Sequence, residues 1–145
     1  MTVTIRTPES DEEFNELLNL RYITLREPWN QPRGSERDSL DIVAFHAVAV
    51  DENGKIVGTA RLHANSGRQS QLRYLAVAES ARGQGVARQL VAFIEKKAHE
   101  DGAKYLRAHV RESAKGFFEK IGFHFVSEGK VLFDEINHTW MRKDV

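Results

Sequence analysis

Arg82-Gly83-Gln84-Gly85-Val86-Ala87 is the stretch on which the reading turns. It separates a strand-like run, Leu72 to Val77, from a helix-like run that starts at Val86 and continues to about His99. Glycines at such a junction let the backbone approach an anion closely, and the helix start adds unpaired N–H groups and the positive end of a dipole. The segment is therefore a candidate phosphate cradle. It is not a P-loop, because Gly85 is followed by Val86 and Ala87, so the phosphate lysine and the magnesium-binding hydroxyl are missing. Nor is it a Rossmann fingerprint: Arg88 holds the place of the third small residue, and hairpins rather than a βαβ unit precede it. A glycine turn that binds nothing is the alternative at this level.

Upstream, Thr2 to Arg6 alternates as a strand, and Ser10 with Glu13 predicts a capping box ahead of a helix with the apolar stripe Phe14, Leu17, Leu18, Tyr22 and Leu25. Pro28 predicts the end of that helix, and Trp29 to Asp38 reads as a loop long enough to be functional. Ile42 to Val50 and Lys55 to His63 form a predicted hairpin through Asn53-Gly54, followed after Gly67 by a third strand, Gln69 to Val77. The second helix places Val86, Leu90, Ile94 and Ala98 on one face and stops at Gly102. Tyr105 to Val110 resumes strand character. Ala114, Phe117, Phe118 and Ile121 have helical spacing before Gly122, and Phe123 to Val126, Val131 to Phe133 and His138 to Met141 close the chain as short strands. The order is β-α-β-β-β-α-β-α-β-β, an α/β fold in a single domain spanning residues 1–145, with no linker or repeat.

Composition narrows the function. The 21 basic and 21 acidic side chains balance, which disfavours a non-specific nucleic-acid or anionic-membrane binder. The absence of cysteine removes disulfides, thiolate metal sites and a cysteine nucleophile, and no metal is expected. No apolar run approaches the ~20 residues of a membrane helix and the N-terminus lacks a signal-peptide core, so a cytoplasmic protein is expected.

Leu75-Ala76-Val77, five intervening residues and Gly83-Gln84-Gly85-Val86-Ala87, with Arg82 ahead of them, resemble motif A of the GNAT acetyltransferase superfamily, Gln/Arg-x-x-Gly-x-Gly/Ala. Phe117-Phe118-Glu119-Lys120-Ile121-Gly122-Phe123 resembles its second signature, an aromatic before Glu-Lys-x-Gly-Phe. The element order matches along nearly the full chain, which implies the GNAT fold: a mixed, mainly antiparallel sheet flanked by helices. The resemblance further implies that the backbone from Arg82 to Ala87 cradles the pyrophosphate of acetyl-CoA, the acyl-donor cosubstrate, with Arg88 and Lys120 reaching its phosphates. Pantetheine would lie along Leu75, Ala76 and Val77, a strand that family members splay from its neighbour, and Phe117 and Phe118 would pack against it or fill the core. A linear ligand with amides substitutes well for a missing strand partner.

The implied reaction is acetyl transfer to a primary amine of a small molecule or peptide by direct attack in a ternary complex. It needs an uncharged amine, an oxyanion donor and an outlet for the thiolate. The main-chain N–H of Leu75 or Ala76 is the candidate donor. Phe118 stands where many relatives carry a tyrosine acid; a thiol pKa near 8.5 leaves protonation to solvent. The motif-A strand lacks an acidic base, its side chains being Gln71, Arg73 and Tyr74. His138, three residues after Glu135, resembles the Glu-x-x-Ile/Pro-His-x-x-Met ending of a bacterial subgroup, and a histidine suits general-base work; an ordinary packed histidine is the alternative. His63 and His109 have a weaker claim. Arg26, Glu27 and Trp29 at the long loop, with Tyr74, are candidate acceptor contacts, although a solvated helix face and core packing also account for them. C-terminal edge strands are open to pairing as a homodimer. A non-catalytic acyl-CoA sensor and a purely structural domain remain the competing classes.

Overall fold

Ser10 stands in extended conformation ahead of α1 (Asp11–Leu25), and its hydroxyl accepts the Glu13 N–H at 3.1 Å. The reciprocal half of the expected capping box does not form. The Glu13 carboxylate instead takes the Glu9 N–H at 2.8 Å and both prongs of Arg6 at 2.8 Å, because a guanidinium fork offers two charge-assisted bonds where the Ser10 N–H offers one. Arg6 ends β1 (Val3–Arg6), so the pair ties the helix start to the first strand. Leu17, Leu18 and Leu25 bury the predicted stripe, but Tyr22 stays half-buried and the fourth buried position is Arg21.

The computed structural model describes all residues from 1 to 145. After α1, β2 (Phe45–Asp51), β3 (Ile56–Ala64) and β4 (Gln69–Val77) form a meander. Then come α2 (Val86–Glu100), β5 (Tyr105–Arg111), α3 (Lys115–Lys120), β6 (His124–Leu132) and β7 (Ile136–Asp144). The seven strands make one sheet in the order β1-β2-β3-β4-β5-β7-β6, and only β4 and β5 run parallel. Burying Val86, Leu90 and Ile94 of α2 against one face stabilises by about 1.5–3 kcal/mol per side chain; α1 covers the other face, lying along β3 and β4, and its Leu17 and Leu18 meet Val48 and Val50 of β2 and Ile56 of β3.

Three expectations are corrected. Strand β2 begins at Phe45 rather than Ile42, because Asp38 caps a 3₁₀ turn over Ser39–Ile42. The short strands expected at Phe123–Val126 and Val131–Phe133 are one strand, β6, whose pairing with β7 is interrupted by two irregularities, while Phe133 and Asp134 form the turn at φ 54° and 57°. That strand is the sheet edge and exposes Phe125, Val126 and Val131. Strand β7 is longer than expected, running on to Asp144 against β5.

The feature that shapes the molecule lies in β4. Its register with β3 passes from Thr59↔Ala76 to Arg61↔Arg73, so Tyr74 and Leu75 together oppose Ala60 as a bulge. Tyr74 takes φ 57°, a left-handed conformation that costs a bulky residue ~1–3 kcal/mol. The guanidinium carbons of Arg21, Arg73 and Arg61 lie 4.2, 4.5 and 4.8 Å from its ring centroid. At ~0.5–2 kcal/mol per cation, these contacts offset the backbone cost. The arginines are held in turn. Arg21 and Arg61 are both 0% exposed, and Asp41 accepts from them at 2.8 and 3.0 Å. Asp38 accepts from Arg61 at 2.6 Å and Arg73 at 3.0 Å. His46 completes the cluster, accepting from Arg21 on Nδ1 at 3.2 Å and donating from Nε2 to the Asp41 carbonyl at 2.8 Å.

Removing one partner of a buried ion cluster leaves an uncompensated charge, at a cost of about 3–5 kcal/mol. Asp41→Ala, which takes from the fully buried Arg21 its carboxylate partner and from Arg61 one of two, is expected to lose stability in that range in urea denaturation. Asp38→Ala is expected to lose less, since the Asp38 side chain is 28% exposed and water can replace it.

Candidate functional site

Parallel pairing of β4 and β5 covers only Gln69↔Tyr105 through Leu72↔Ala108, although β4 runs on to Val77 and β5 to Arg111. Beyond Leu72 the bulge bends β4 away, and a cleft of about 170 Å³ opens between the strands. Leu75 on one side, His109 and Arg111 on the other, and Phe118 line it. Ala76 turns its methyl to Leu25 and Tyr74 on the α1 face, while Val77 packs on the main core. The two arms of the cleft therefore carry backbone that is not shared between them.

At the end of β4 lies the glycine segment. Gly83 and Gly85 have φ 74° and 79°, and a Cβ on either would meet no atom within 4 Å. The glycines serve the turn's handedness, and the space above them is open. Gly85 is the N-cap of α2 without a side-chain cap bond, and the first bond into the helix is Gln89 N–H to the Gly85 carbonyl at 3.1 Å. The N–H groups from Gly83 through Arg88 are thus unspent, on a 15-residue helix whose dipole reinforces them. Val86 directs its side chain into the core and leaves only its backbone to the loop, and Ala87 is half-buried. Arg82 donates from Nε to the Val77 carbonyl at 3.2 Å, and Gln84 to the Ser80 carbonyl at 3.3 Å, which ties the loop to the strand end and the 3₁₀ turn before it. Arg88 and Lys120 are exposed and line one separate cleft between α2 and α3. The donor set suits a phosphate-bearing chain: backbone N–H groups at one point and two free cations nearby.

Across from β4, β5 and β7 place Arg111 opposite His138 and His109 opposite Trp140. The imidazoles of His109 and His138 stack at 4.5 Å and 7°. His138 is 9% exposed; its Nδ1 lies 3.0 Å from the Ile136 carbonyl, which only accepts, so Nδ1 carries the proton. That tautomer leaves Nε2 as the basic nitrogen, with the Lys130 carbonyl also facing the ring. Burial pushes the His138 pKa down, and the charges of Arg111 and Arg26 press the same way against the Ile136 and Lys130 carbonyls. His109 accepts the Lys130 N–H on Nε2 at 2.9 Å; burial, then His138 and the surrounding cations, lower its pKa to about 4. The stack is neutral at pH 7.

Other expected residues fare unequally. Tyr74 and Arg26 line the cleft, Arg26 being fixed by the Leu25 and Ser35 carbonyls at 3.0 Å. Glu27 is exposed and Trp29 half-buried in a 3₁₀ turn, and neither reaches the cleft. Glu135 is exposed in the β6–β7 turn and makes no bond to His138, whose ring is oriented by Ile136 instead. Phe118 faces the cleft with edge-on contacts to Phe117 and Phe123, and brings no hydroxyl. His63 sits apart, in a different cleft beside Ser66 and Lys97. His109 and Arg111 are the residues that sequence reasoning undervalued: strand alternation puts both on one face of β5, but their meeting with His138 depends on β5–β7 register.

A model of the acetyltransferase (GNAT) domain matches residues 33–145. A Bacillus subtilis (strain 168) protein that bears an acetyltransferase name is 26% identical over 144 residues, covering 97% of this chain and 96% of its own. Among solved structures, one named as an N-acetyltransferase of Lactobacillus plantarum superposes with TM-score 0.86 at 21% identity, over 99% of both chains. A GNAT family acetyltransferase from Elizabethkingia anophelis, with acetyl-CoA bound, superposes with TM-score 0.74 at 17% identity, over 99% of this chain and 98% of that one.

The depressed histidines have a thermodynamic consequence. In the unfolded chain they titrate near 6.5, so between pH 6.5 and about 4 the unfolded state binds more protons and stability falls as pH falls. Melting temperature is expected to drop through that window, and His109→Gln is expected to flatten part of the decline.

Proposed function

The chain belongs to the GNAT acetyltransferase family, and from that premise we propose that it transfers an acetyl group from acetyl-CoA directly to a primary amine in a ternary complex. The observation that carries this reading is the parting of β4 and β5 after Leu72 and Ala108, which leaves a cleft leading to unspent N–H groups at Gly83 to Arg88. The pyrophosphate takes the glycine segment, Arg88 and Lys120 reach the phosphates, and pantetheine lies along Leu75, Ala76 and Val77 in place of a strand partner. Phe117 and Phe118 form the apolar wall. The thioester carbonyl then meets the main-chain N–H of Leu75 or Ala76, just past the bulge, where a preorganised donor stabilises the developing oxyanion.

His138 is the general base of this reading. Its proton is fixed on Nδ1 by Ile136, which leaves Nε2 as the basic nitrogen, and its lowered pKa keeps it neutral at pH 7. Tyr74 and Arg26 contact the acceptor. With Phe118 in the tyrosine position, the departing thiolate takes its proton from water, which its modest basicity permits.

Gly85→Asp forces a side chain onto φ 79° and sets a carboxylate against the phosphate. Calorimetry is expected to show acetyl-CoA affinity reduced at least ~10-fold, equivalent to ~1.4 kcal/mol, in a protein whose circular dichroism is unchanged; unaltered affinity would place the phosphates elsewhere. For the base, wild-type kcat/KM is expected to carry one limb with an apparent pKa below 6.5, and a second, higher limb from the acceptor's ammonium before the plateau. His138→Gln should lower the plateau by ~10²–10⁴ and remove the lower limb while leaving acetyl-CoA affinity intact.

A further inference from the structure

The cleft has an imbalance of charge. Arg26, Arg73 and Arg111 line it together with His109 and His138, and no aspartate or glutamate does. Arg73 is answered by Asp38 at 3.0 Å. Arg26 is met by the Leu25 and Ser35 carbonyls and by the rings of Tyr74 and Phe133 at 5.7 and 5.5 Å, and makes no salt bridge to a carboxylate. Arg111 makes no ion pair, and none of its N–H groups finds an acceptor, although it is partly buried and lies directly opposite His138 across the β5–β7 ladder. Burial and the charges of Arg82 and Arg26 all act against the Arg111 cation. A guanidinium nevertheless stays charged near neutrality, so the cleft offers an anion from outside the chain a cation with no partner of its own.

The donor's phosphates already have partners elsewhere. The free N–H groups of the glycine segment, and Arg88 with Lys120 in their own cleft between α2 and α3, serve them. Arg26 and Arg111 instead flank the base on the acceptor side. An amine whose only charge is its ammonium would enter against both cations with no acid to receive it. One that also carries an anionic group brings its own counterion, and the guanidinium fork matches a carboxylate or phosphate with paired hydrogen bonds. The same cations lower the pKa of an ammonium beside them, which favours the uncharged nucleophile the reaction needs.

Resting on the acetyl-transfer reading above, we infer that the acceptor is a small amine bearing a carboxylate or phosphate, an amino acid or aminoalkyl phosphate in class, whose anionic group is held by Arg111 and Arg26 beside His138. The ammonium first loses a proton to solvent. Its nitrogen then bonds to the thioester carbon as the carbon–sulfur bond breaks; the surplus N–H proton passes to His138 Nε2, and the thiolate takes a proton from water. Arg111 is a binding residue for the acceptor and takes no part in proton transfer.

The test uses matched pairs: L-amino acids against their amides, phosphoethanolamine against ethanolamine, and spermidine as a polycation. Product is read by mass spectrometry and thiol release. Binding of each amine to the protein's complex with coenzyme A is read by calorimetry. The anionic member of at least one pair is expected to show kcat/KM at least ~10-fold above its partner, a preference worth ~1.4 kcal/mol. The pair in which this occurs distinguishes carboxylate from phosphate. Arg111→Gln should raise KM for that acceptor ~10-fold or more while acetyl-CoA affinity changes less than twofold. Preference for amides or spermidine overturns the inference, as does acetylation of none of these amines by protein that binds acetyl-CoA. A loss of acetyl-CoA affinity in Arg111→Gln with acceptor KM unchanged also overturns it, by giving Arg111 to the donor. Failure of the wild-type protein to bind acetyl-CoA would instead defeat the transfer reading itself.

Discussion

Asp41 holds two fully buried arginines, and much of the rest of the structure follows from that grip. Arg21 from α1 and Arg61 from β3 converge on one carboxylate at 2.8 and 3.0 Å, and their guanidinium carbons then lie 4.2 and 4.8 Å from the centre of the Tyr74 ring. Such a cluster is poor as a source of net stability, because desolvating ions costs about as much as pairing them returns. Its effect is geometric. It over-determines the position of the Tyr74 ring, which lets a tyrosine persist at φ 57° in the middle of a strand. The resulting bulge turns β4 from β5 after four pairs, and the cleft is the space left between them.

The two sides of that cleft are built from different materials. The β4 side is mostly backbone: the unshared edge of β4 past the bulge and the unspent amides from Gly83 through Arg88. The opposite side is made of side chains from β5 and β7 and from the end of α1, and such side chains can change without disturbing the sheet. His138 illustrates how little is needed to hold an imidazole neutral there. One carbonyl, that of Ile136, fixes the tautomer; burial and two neighbouring arginines keep the ring neutral. Stacking on His109 at 4.5 Å holds the ring plane.

Elements built on local rules are legible in the sequence. Val86, Leu90, Ile94 and Ala98 are buried as their spacing requires, β4 has the expected bounds, and Gly102 ends α2 at φ 87°. The glycine loop is legible too, since handedness and helix polarity are properties of a few consecutive residues. Errors fall where a residue's partner is chosen by the tertiary arrangement rather than by local spacing. Arg21 lies outside the apolar stripe read from the sequence, and its burial follows only once Asp41, twenty residues on, is set against it. Glu13 reads as a capping partner until Arg6 competes for it, and Glu135 as a partner of His138 until the turn points it outward.

Sequence alone therefore determined the family, the element order and the glycine turn that opens α2, because each is written in short-range spacing: periodicity, glycine placement and two linear motifs. Tertiary structure alone decided the bulge at Tyr74, the extent of the cleft, the histidine stack and the unpaired charge of Arg111. All four depend on strand register and on ion pairs between distant segments, and register is settled by the whole sheet and core packing together. The glycine segment is readable in the chain itself as a place for an anion. That Arg111 stands unpaired beside His138, in the cleft between β4 and β5, follows only from setting β5 against β7.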